Sequence, residues 1–212
     1  MVTVALVDGA GLRLERETVD ARRHAELLAP MVNKALAEAG ARPVDLSAVA
    51  VGVGPGPFTG LRVGIATASA LADALHIPAY SACSLDVIAR AHHSHARLAV
   101  VTDARRQEVY WATYDEAGQR TDGPLVTDPA VAADRIRAAG CTIIAGAGAL
   151  LYRDAFTGMR IGEASPYPRA ALLADLVAER AEQNAPADVL QPIYLRRPDI
   201  APPRPAKRVI PA

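Results

Sequence analysis

The chain has 212 residues, no formal net charge and 51% apolar residues, so it can bury a core and has no overall charge to attract nucleic acid or an anionic membrane. Its two cysteines, Cys83 and Cys141, lack the spacing of a metal or redox motif, and no basic segment followed by an apolar one begins the chain. The apolar stretches are shorter than the ~20 residues of a membrane span, and these features together indicate a globular cytoplasmic protein.

The first predicted elements are a β-hairpin and a helix. The sequence indicates strands over Val2–Asp8 and Leu12–Val19, joined by a turn that contains Gly9 and Gly11. Asp20 is a candidate cap for the helix that follows. From His24 this helix carries an apolar stripe, and Gly40 closes it; the stripe consists of Leu27, Leu28, Met31, Val32, Ala35 and Leu36.

A strand, a loop rich in glycine and proline, and a second helix come next. The strand-like run Val49–Val53 leads into the loop GPGPFTG, and small residues alternate with larger ones over the predicted helix Leu61–Leu75. A helix that begins directly after such a loop points its unpaired backbone N–H groups toward the loop, and this arrangement favours phosphate binding. The loop lacks the Lys-Ser/Thr of a P-loop, and Gly52, Gly54 and Pro57 do not fit G-x-G-x-x-G. A tight turn that packs the helix on its sheet is an equal alternative.

The second half repeats this alternation of strands and helices. Strands are predicted over 98–102, 109–114 and 142–145, and helices over 130–139 and 169–183. The alternation indicates an α/β fold. A polar stretch at His92–Arg97 is the candidate domain boundary, which divides the chain into residues 1–96, residues 97–192, and a basic, proline-rich tail over 193–212 whose composition favours an extended or disordered end.

Three motifs in this chain resemble one known family. The run GPGPFTGLRVGIATASALADAL, followed by the strand Ile77–Ser81, closely resembles the signature of the bacterial TsaB family. Asp103-Ala104-Arg105 with Glu108–Trp111 resembles a second signature, and Pro192–Arg196 a C-terminal one. In the first signature the loop residues to which we assign importance are Gly54, Gly56, Thr59, Gly60 and Arg62.

This resemblance implies a two-lobed fold of the actin-like or ribonuclease H-like ATPase class. TsaB chains usually begin with a strand ahead of the one that corresponds to Val2–Val7, so the first strand is expected to be missing here. In that superfamily the strand is central to its sheet, and its loss would leave backbone groups without partners. A wrongly assigned start codon or a truncation is the simplest explanation, and a natural deletion is the alternative.

The resemblance also bears on metal binding and catalysis. The related protein TsaD has a His-x-x-x-His metal pair where this chain has Ser84 and Ile88, and isoleucine cannot ligate a metal. His92, His93 and His95 are interpreted as solvated surface residues, and no metal or cofactor is assigned. There is no G-x-S-x-G nucleophile motif, and neither cysteine has a neighbouring base, so no catalytic residue is assigned.

A vestigial nucleotide site remains a hypothesis. Asp103 follows a strand where ATP-using relatives often have a metal-associated carboxylate, and Gly146 and Gly148 lie where relatives contact adenosine. The alternative, which we favour, is structural: Asp103 caps a turn and pairs with Arg105, and the glycines form a strand-to-helix turn.

The helix that begins at His24 and the Leu61–Leu75 helix are the expected partner surface. The resemblance implies that these two helices pair with the same two helices of TsaD in a heterodimer, or with those of a second TsaB in a homodimer. The candidate interface residues are His24, Leu27, Met31, Lys34, Arg62 and Ala66. For Leu28 and Val32 a core position is the favoured interpretation.

The function that the resemblance implies is that of a non-catalytic scaffold. Such a subunit binds TsaD and, with the ATPase TsaE, supports threonylcarbamoyl transfer to the adenosine next to the anticodon of tRNA. The subunit contacts tRNA only through the complex. The alternatives are an independent, glycoprotease-like hydrolase and a small sugar-kinase-like enzyme that would bind nucleotide by itself.

Overall fold

The computed structural model describes residues 1–18, 24–92 and 96–196, and its strands and helices alternate along the chain. This arrangement confirms the predicted α/β class. The strands are β1 (Val2–Asp8), β2 (Gly11–Thr18), β3 (Val49–Gly52), β4 (Ala79–Ala82), β5 (Leu98–Asp103), β6 (Val109–Tyr114), β7 (Arg120–Thr127), β8 (Ile143–Ala145) and β9 (Arg160–Ile161). The helices are α1 (His24–Glu38), α2 (Phe58–Leu75), α3 (Ser84–Arg90), α4 (Pro129–Ala138), α5 (Ala147–Leu151) and α6 (Ala170–Glu182).

The largest sheet is built by the second half of the chain in the order β7-β6-β5-β8-β9. β5, β6 and β7 pair antiparallel, whereas β8 runs parallel to β5 and β9 runs parallel to β8. One core cluster on this sheet joins Trp111 and Ile144 to Ile136 of α4. A second cluster joins Leu85 and Ile88 of α3 to the same sheet. The two clusters bury the strands β5, β6 and β8 between helices.

The first half of the chain forms two separate pairs of strands. β1 and β2 form an antiparallel hairpin, in which Val2 pairs with Thr18 and Asp8 with Gly11. β3 and β4 are parallel and are connected by α2, with Val51 opposite Ser81. Helix α1 packs against β1 and α2. These two pairs are not hydrogen-bonded to each other within the described residues.

Helix α6 connects the two halves of the molecule. Although it comes late in the sequence, it packs against β1, β3, β4 and α3. The Ala170 amide at its start donates to Thr3 Oγ1 at 3.3 Å. After the helix, the Asp188 carboxylate accepts hydrogen bonds from the Ser81 amide and from Arg180, so the returning chain is fixed along β4. Across the described ranges, none of the helices combines the length and hydropathy needed to cross a membrane.

Most elements lie within a few residues of their predicted positions, but four were not predicted. Helix α2 begins at Phe58, three residues before the predicted Leu61. The unpredicted elements are the strands β7 and β9 and the short helices α3 and α5. The predicted cap Asp20, together with His93 and His95, lies outside the described residues.

Truncation of a core residue in the large sheet tests its contribution to stability. Ile144 is completely buried, so we expect Ile144→Ala to lower the free energy of unfolding by about 2–5 kcal/mol. Leu150 on α5 is 50% exposed, so Leu150→Ala should change it by less than about 0.5 kcal/mol. Urea denaturation would measure both values, and equal losses would contradict this description of the core.

Candidate functional site at the junction of three motifs

The GPGPFTG loop makes a tight turn that is packed against the rest of the protein. Gly54 has φ +101°, and a Cβ atom on it would lie 2.9 Å from Leu61 Cδ1. Its carbonyl accepts a hydrogen bond of 2.7 Å from the Ser84 amide at the start of α3. Only glycine suits this backbone conformation and close approach. Further along the loop, Gly56 and Gly60 are half-buried and Thr59 is exposed.

The C-terminal motif lies directly against this loop. The Ile193 amide donates to the Val53 carbonyl at 2.7 Å. The ring of Tyr194 stacks on that of Phe58, with centroids 4.6 Å apart and planes inclined by 28°. Arg62 donates from Nε to the Tyr194 hydroxyl at 3.0 Å, and its guanidinium lies 5.8 Å from each ring centroid. The first and third motifs therefore form one surface, where cation–π attraction adds to stacking.

The same C-terminal motif also holds the second motif, which is the turn between β5 and β6. Arg196 donates from Nη1 to the Ala104 carbonyl at 2.7 Å, and its Nη2 forms an ion pair of 3.1 Å with Glu108. Three successive residues of this turn, Arg105, Arg106 and Gln107, have φ values of 63°, 53° and 61°. This left-handed conformation is strained for residues other than glycine. Arg196 therefore binds on both sides of the strained residues, at Ala104 and at Glu108.

The three motifs consequently meet at one place, which we name the motif junction: residues 53–62, 103–108 and 193–196. Sequence reasoning identified Arg62 and the loop but not the roles of Phe58, Tyr194 and Arg196. Residues 193–196, assigned to an extended tail, make defined contacts with both other motifs, and residues 197–212 lie outside the described chain. The contact between Phe58 and Tyr194 had one signal in the sequence: each of these two distant motifs contains an aromatic residue, although only 4% of the residues in the chain are aromatic.

Of the three residues of the vestigial-site hypothesis, Asp103 belongs to the motif junction, and Gly146 and Gly148 lie against the adjoining strand β5. Their contacts match the structural alternative, a capped turn and a close strand-to-helix turn. Asp103 accepts a hydrogen bond of 2.9 Å from the Arg105 amide and lies 3.5 Å from the Arg105 guanidinium. A Cβ atom on Gly146 would lie 2.3 Å from the Val101 carbonyl oxygen, and one on Gly148 would lie 2.8 Å from the backbone of Thr102. Both glycines therefore allow α5 to approach β5 closely.

The residues considered for metal binding or nucleophilic chemistry are scattered. Ile88 is completely buried in the core, and Ser84 is half-buried next to Gly52. His92 was expected on the solvated surface, but it is half-buried against Gly162. Burial and then the nearby Arg160 lower its pKa, which favours a neutral imidazole. Among the described residues there is no group of three or more His, Cys, Asp or Glu side chains arranged to hold a metal.

Both cysteine thiols are buried, and burial raises the pKa of each. For Cys83 the neighbouring Asp86 adds to this effect. A raised pKa keeps a thiol protonated near neutral pH and lowers its reactivity as a nucleophile. These two side chains therefore have the environment of core residues.

The candidate interface residues lie on the two adjacent helices α1 and α2. Leu28 and Val32 line a cavity, whereas Leu27 and Met31 are half-buried elsewhere on α1. The remaining members that the structure describes, Lys34, Arg62 and Ala66, are exposed. His24 begins α1, but its side chain is outside the described part of the structure.

Comparisons with known proteins agree on one group of relatives. Residues 18–136, more than half of the chain, match the family described as "TsaD: tRNA N6-adenosine threonylcarbamoyltransferase". An uncharacterized protein of Mycobacterium tuberculosis is 47% identical over 193 residues, which are 89% of this chain and 82% of the relative. The protein named tRNA threonylcarbamoyladenosine biosynthesis protein TsaB of Escherichia coli is 38% identical over 102 residues, 46% of this chain and 44% of that protein.

Solved structures extend the similarity to almost the whole chain. A crystal structure from Pseudomonas aeruginosa, described as an uncharacterized protein with similarity to peptidase YEAZ, has a TM-score of 0.75 and 32% identity. It covers 92% of this chain and 94% of its own. YeaZ from Pseudomonas aeruginosa has a TM-score of 0.74 and 31% identity, and the match covers 91% of this chain and 93% of that one.

Removal of the Arg196 side chain tests the motif junction. Because Arg196 holds a strained turn through a carbonyl and a carboxylate, we expect Arg196→Ala to lower the free energy of unfolding by about 1–2 kcal/mol. Hydrogen exchange at the amides of residues 104–108 should also become faster. Arg13, which forms an exposed pair with Asp8, is the matched control, and Arg13→Ala should cost less than about 0.5 kcal/mol. If hydrogen exchange at residues 104–108 is the same in Arg196→Ala as in the unmodified chain, Arg196 does not hold the turn.

Proposed function

Because the chain belongs to the family described as TsaD, tRNA N6-adenosine threonylcarbamoyltransferase, and is TsaB-like, we propose that it acts in threonylcarbamoyladenosine biosynthesis in tRNA. The observation that carries this proposal is the motif junction. Three segments that resemble TsaB signatures are distant in sequence, and their side chains contact one another directly. A fortuitous match of one loop would not produce these contacts.

Within that process we assign the chain a non-catalytic role as an accessory subunit. It binds TsaD in a heterodimer, acts together with TsaE, and contacts tRNA only through the complex. Threonylcarbamoyl is transferred in the partner to the adenosine next to the anticodon. In support, Ile88 is completely buried at the position that aligns with a metal-binding histidine of TsaD, and both thiols are protonated core groups. A cytoplasmic location follows from this role.

The mechanism we propose is stabilisation of one conformation of the partner. A subunit shifts a conformational equilibrium only if it binds one state more tightly than the other. The surface we assign to this binding is formed by α1 and α2, with Leu27, Met31, Lys34, Arg62 and Ala66 as contact residues. Arg62 belongs to both this surface and the motif junction, so the junction fixes the start of α2 on the proposed interface.

The architecture we propose is the two-lobed, actin-like arrangement, with lobes of residues 1–96 and 97–192 and a tail of residues 193–212. The separate strand pairs of the first lobe and the five-stranded sheet of the second support this division. Helix α6 of the second lobe packs on strands of the first, and α3 of the first packs on β5, so each lobe supplies a helix to the other.

An independent hydrolase is the second candidate, because one similar structure is described as related to a peptidase. Purified chain that cleaves a protein substrate at a rate proportional to its concentration would favour it. Within the described residues, the buried thiols with raised pKa values do not supply an activated nucleophile.

The proposed function is tested by reconstitution. Purified TsaD, TsaE and the adenylate-forming enzyme are incubated with tRNA, with and without this chain, and threonylcarbamoyladenosine is quantified by mass spectrometry. We expect modification only when the chain is present. Equal modification in its absence, with a folded chain, would refute the accessory role.

A charge on the proposed interface should weaken partner binding without unfolding the chain. Met31 is half-buried on α1, and its replacement in Met31→Asp would bury a carboxylate against the partner, so we expect at least a tenfold loss of affinity for TsaD by calorimetry. Leu150→Asp places the same charge on the exposed surface of α5 and should leave affinity unchanged. Equal affinity of Met31→Asp and the unmodified chain would remove α1 from the interface.

A further inference from the structure

The β5–β6 turn carries two exposed arginines on a strained backbone. The side chain of Arg105 is 76% exposed, and Arg106 is exposed as well. Both have left-handed φ values, 63° and 53°, which are unfavourable for arginine. Strain of this kind is concentrated at binding and catalytic sites and persists only where the surrounding structure imposes it. Because Arg196 and the paired strands impose it here, the turn has the character of a binding segment.

The turn belongs to a basic surface in a chain that has no net charge. The motif junction contains four arginines and two carboxylates, which are Arg62, Arg105, Arg106, Arg196, Asp103 and Glu108. Residues 197–212, which follow the junction directly, add four basic residues and one acidic residue. Since the whole chain is neutral, the remainder carries a compensating negative charge. A polyanion is therefore attracted to the motif junction more strongly than to the rest of the chain.

An aromatic ring lies exposed among these arginines. The side chain of Tyr194 is 39% exposed, although its ring stacks on Phe58. The Arg62 guanidinium lies 5.8 Å from the centroid of each ring. Exposed rings that stack on unpaired bases, beside arginines that pair with phosphates, are typical of surfaces that bind RNA. An acidic peptide would match the charge of this surface but not its exposed ring.

The basic surface borders the surface that we assign to the partner. Arg62 belongs both to the motif junction and to α2, which is part of the partner surface. A single cavity is lined by Pro57 and Gly60 of the GPGPFTG loop and by Arg105 of the turn. The loop and the turn are therefore neighbours, and an RNA held by a partner on α2 can extend over both of them.

We infer that the motif junction is an RNA-binding surface, at which Arg105 and Arg106 contact phosphates of the tRNA that the complex modifies. The exposed ring of Tyr194 is available to an unpaired nucleotide beside these phosphates. Two phosphate contacts bind weakly by themselves, so this surface strengthens the binding of tRNA that the partner provides. The inference rests on the proposed function, because it names the surface with which this chain meets the substrate of the complex.

Removal of the two charges tests the inference. Arg105→Gln combined with Arg106→Gln removes both charges and keeps long polar side chains. The affinity of the complex with TsaD for labelled tRNA is measured by fluorescence anisotropy over a range of salt concentrations. Each lost phosphate contact should make the slope of log affinity against log salt shallower by about 0.7–0.9, so we expect a total change of about 1.4–1.8. Affinity at physiological salt should fall about tenfold. In the modification assay KM for tRNA should rise with kcat unchanged, because the contact is uniform binding.

Two control variants separate phosphate contacts from general effects of the substitutions. Arg42 has a side chain that is 75% exposed and also pairs with a carboxylate, that of Asp45. It precedes β3, whereas the GPGPFTG loop follows that strand. Arg42→Gln should therefore leave the salt slope and KM unchanged. Arg105→Lys combined with Arg106→Lys keeps both charges and should keep the slope of the unmodified chain.

The outcomes distinguish failure of this inference from failure of the proposed function. Equal salt slopes for the double glutamine variant and the unmodified chain, in a complex that modifies tRNA only when the chain is present, would overturn the inference alone. If modification does not depend on the chain, the proposed function fails, and anisotropy of the chain alone at low salt still decides whether these arginines bind RNA. Equal affinity for labelled polyglutamate, lost in the same variant, would overturn the inference and indicate an acidic protein partner.

Discussion

One backbone hydrogen bond, from the Ile193 amide to the Val53 carbonyl, fixes the segment on which both halves of the molecule converge. The residues that follow contact both the GPGPFTG loop and the β5–β6 turn: Tyr194 stacks on Phe58, and Arg196 reaches Ala104 and Glu108. Each contact by itself contributes on the order of 1 kcal/mol, but together they define the relative position of two motifs about 50 residues apart in sequence.

The strained turn of the second motif depends on this segment. Three consecutive left-handed residues, Arg105 to Gln107, cost on the order of 1 kcal/mol each and persist only where the surroundings impose them. The paired strands β5 and β6 hold the two ends of the turn, and Arg196 binds a carbonyl and a carboxylate within it. The turn therefore presents exposed Arg105 in a fixed conformation beside the loop.

Local sequence patterns predicted the elements with strong periodicity, and the errors have physical causes. The strand Val109–Tyr114 was predicted at its observed bounds because five of its six residues are aliphatic or aromatic, as expected of a strand buried on both faces. Strand β7 was missed because it begins with the exposed polar residues Arg120, Thr121 and Asp122, so pairing with β6 and not its own composition makes it a strand.

The candidate site was harder to predict than the fold. The loop around Gly54 was recognised from glycine and proline alone, whose backbone preferences are local. The role of residues 193–196 depends on contacts with residues that lie more than 80 positions earlier, and no local pattern encodes such contacts. Composition suggested a tail there, because prolines and arginines dominate the residues that follow.

The coupling of the two motifs by residues 192–196 is tested most directly by comparing a chain that ends at Arg196 with one that ends at Gln191. Hydrogen exchange of both is followed by mass spectrometry at residues 53–62 and at residues 104–108. We expect the chain that ends at Arg196 to keep the protection of the full chain, and the shorter one to lose protection at both motifs together. Unchanged protection at both motifs in the shorter chain would show that they are held independently of the C-terminal segment and would contradict the central role given to it.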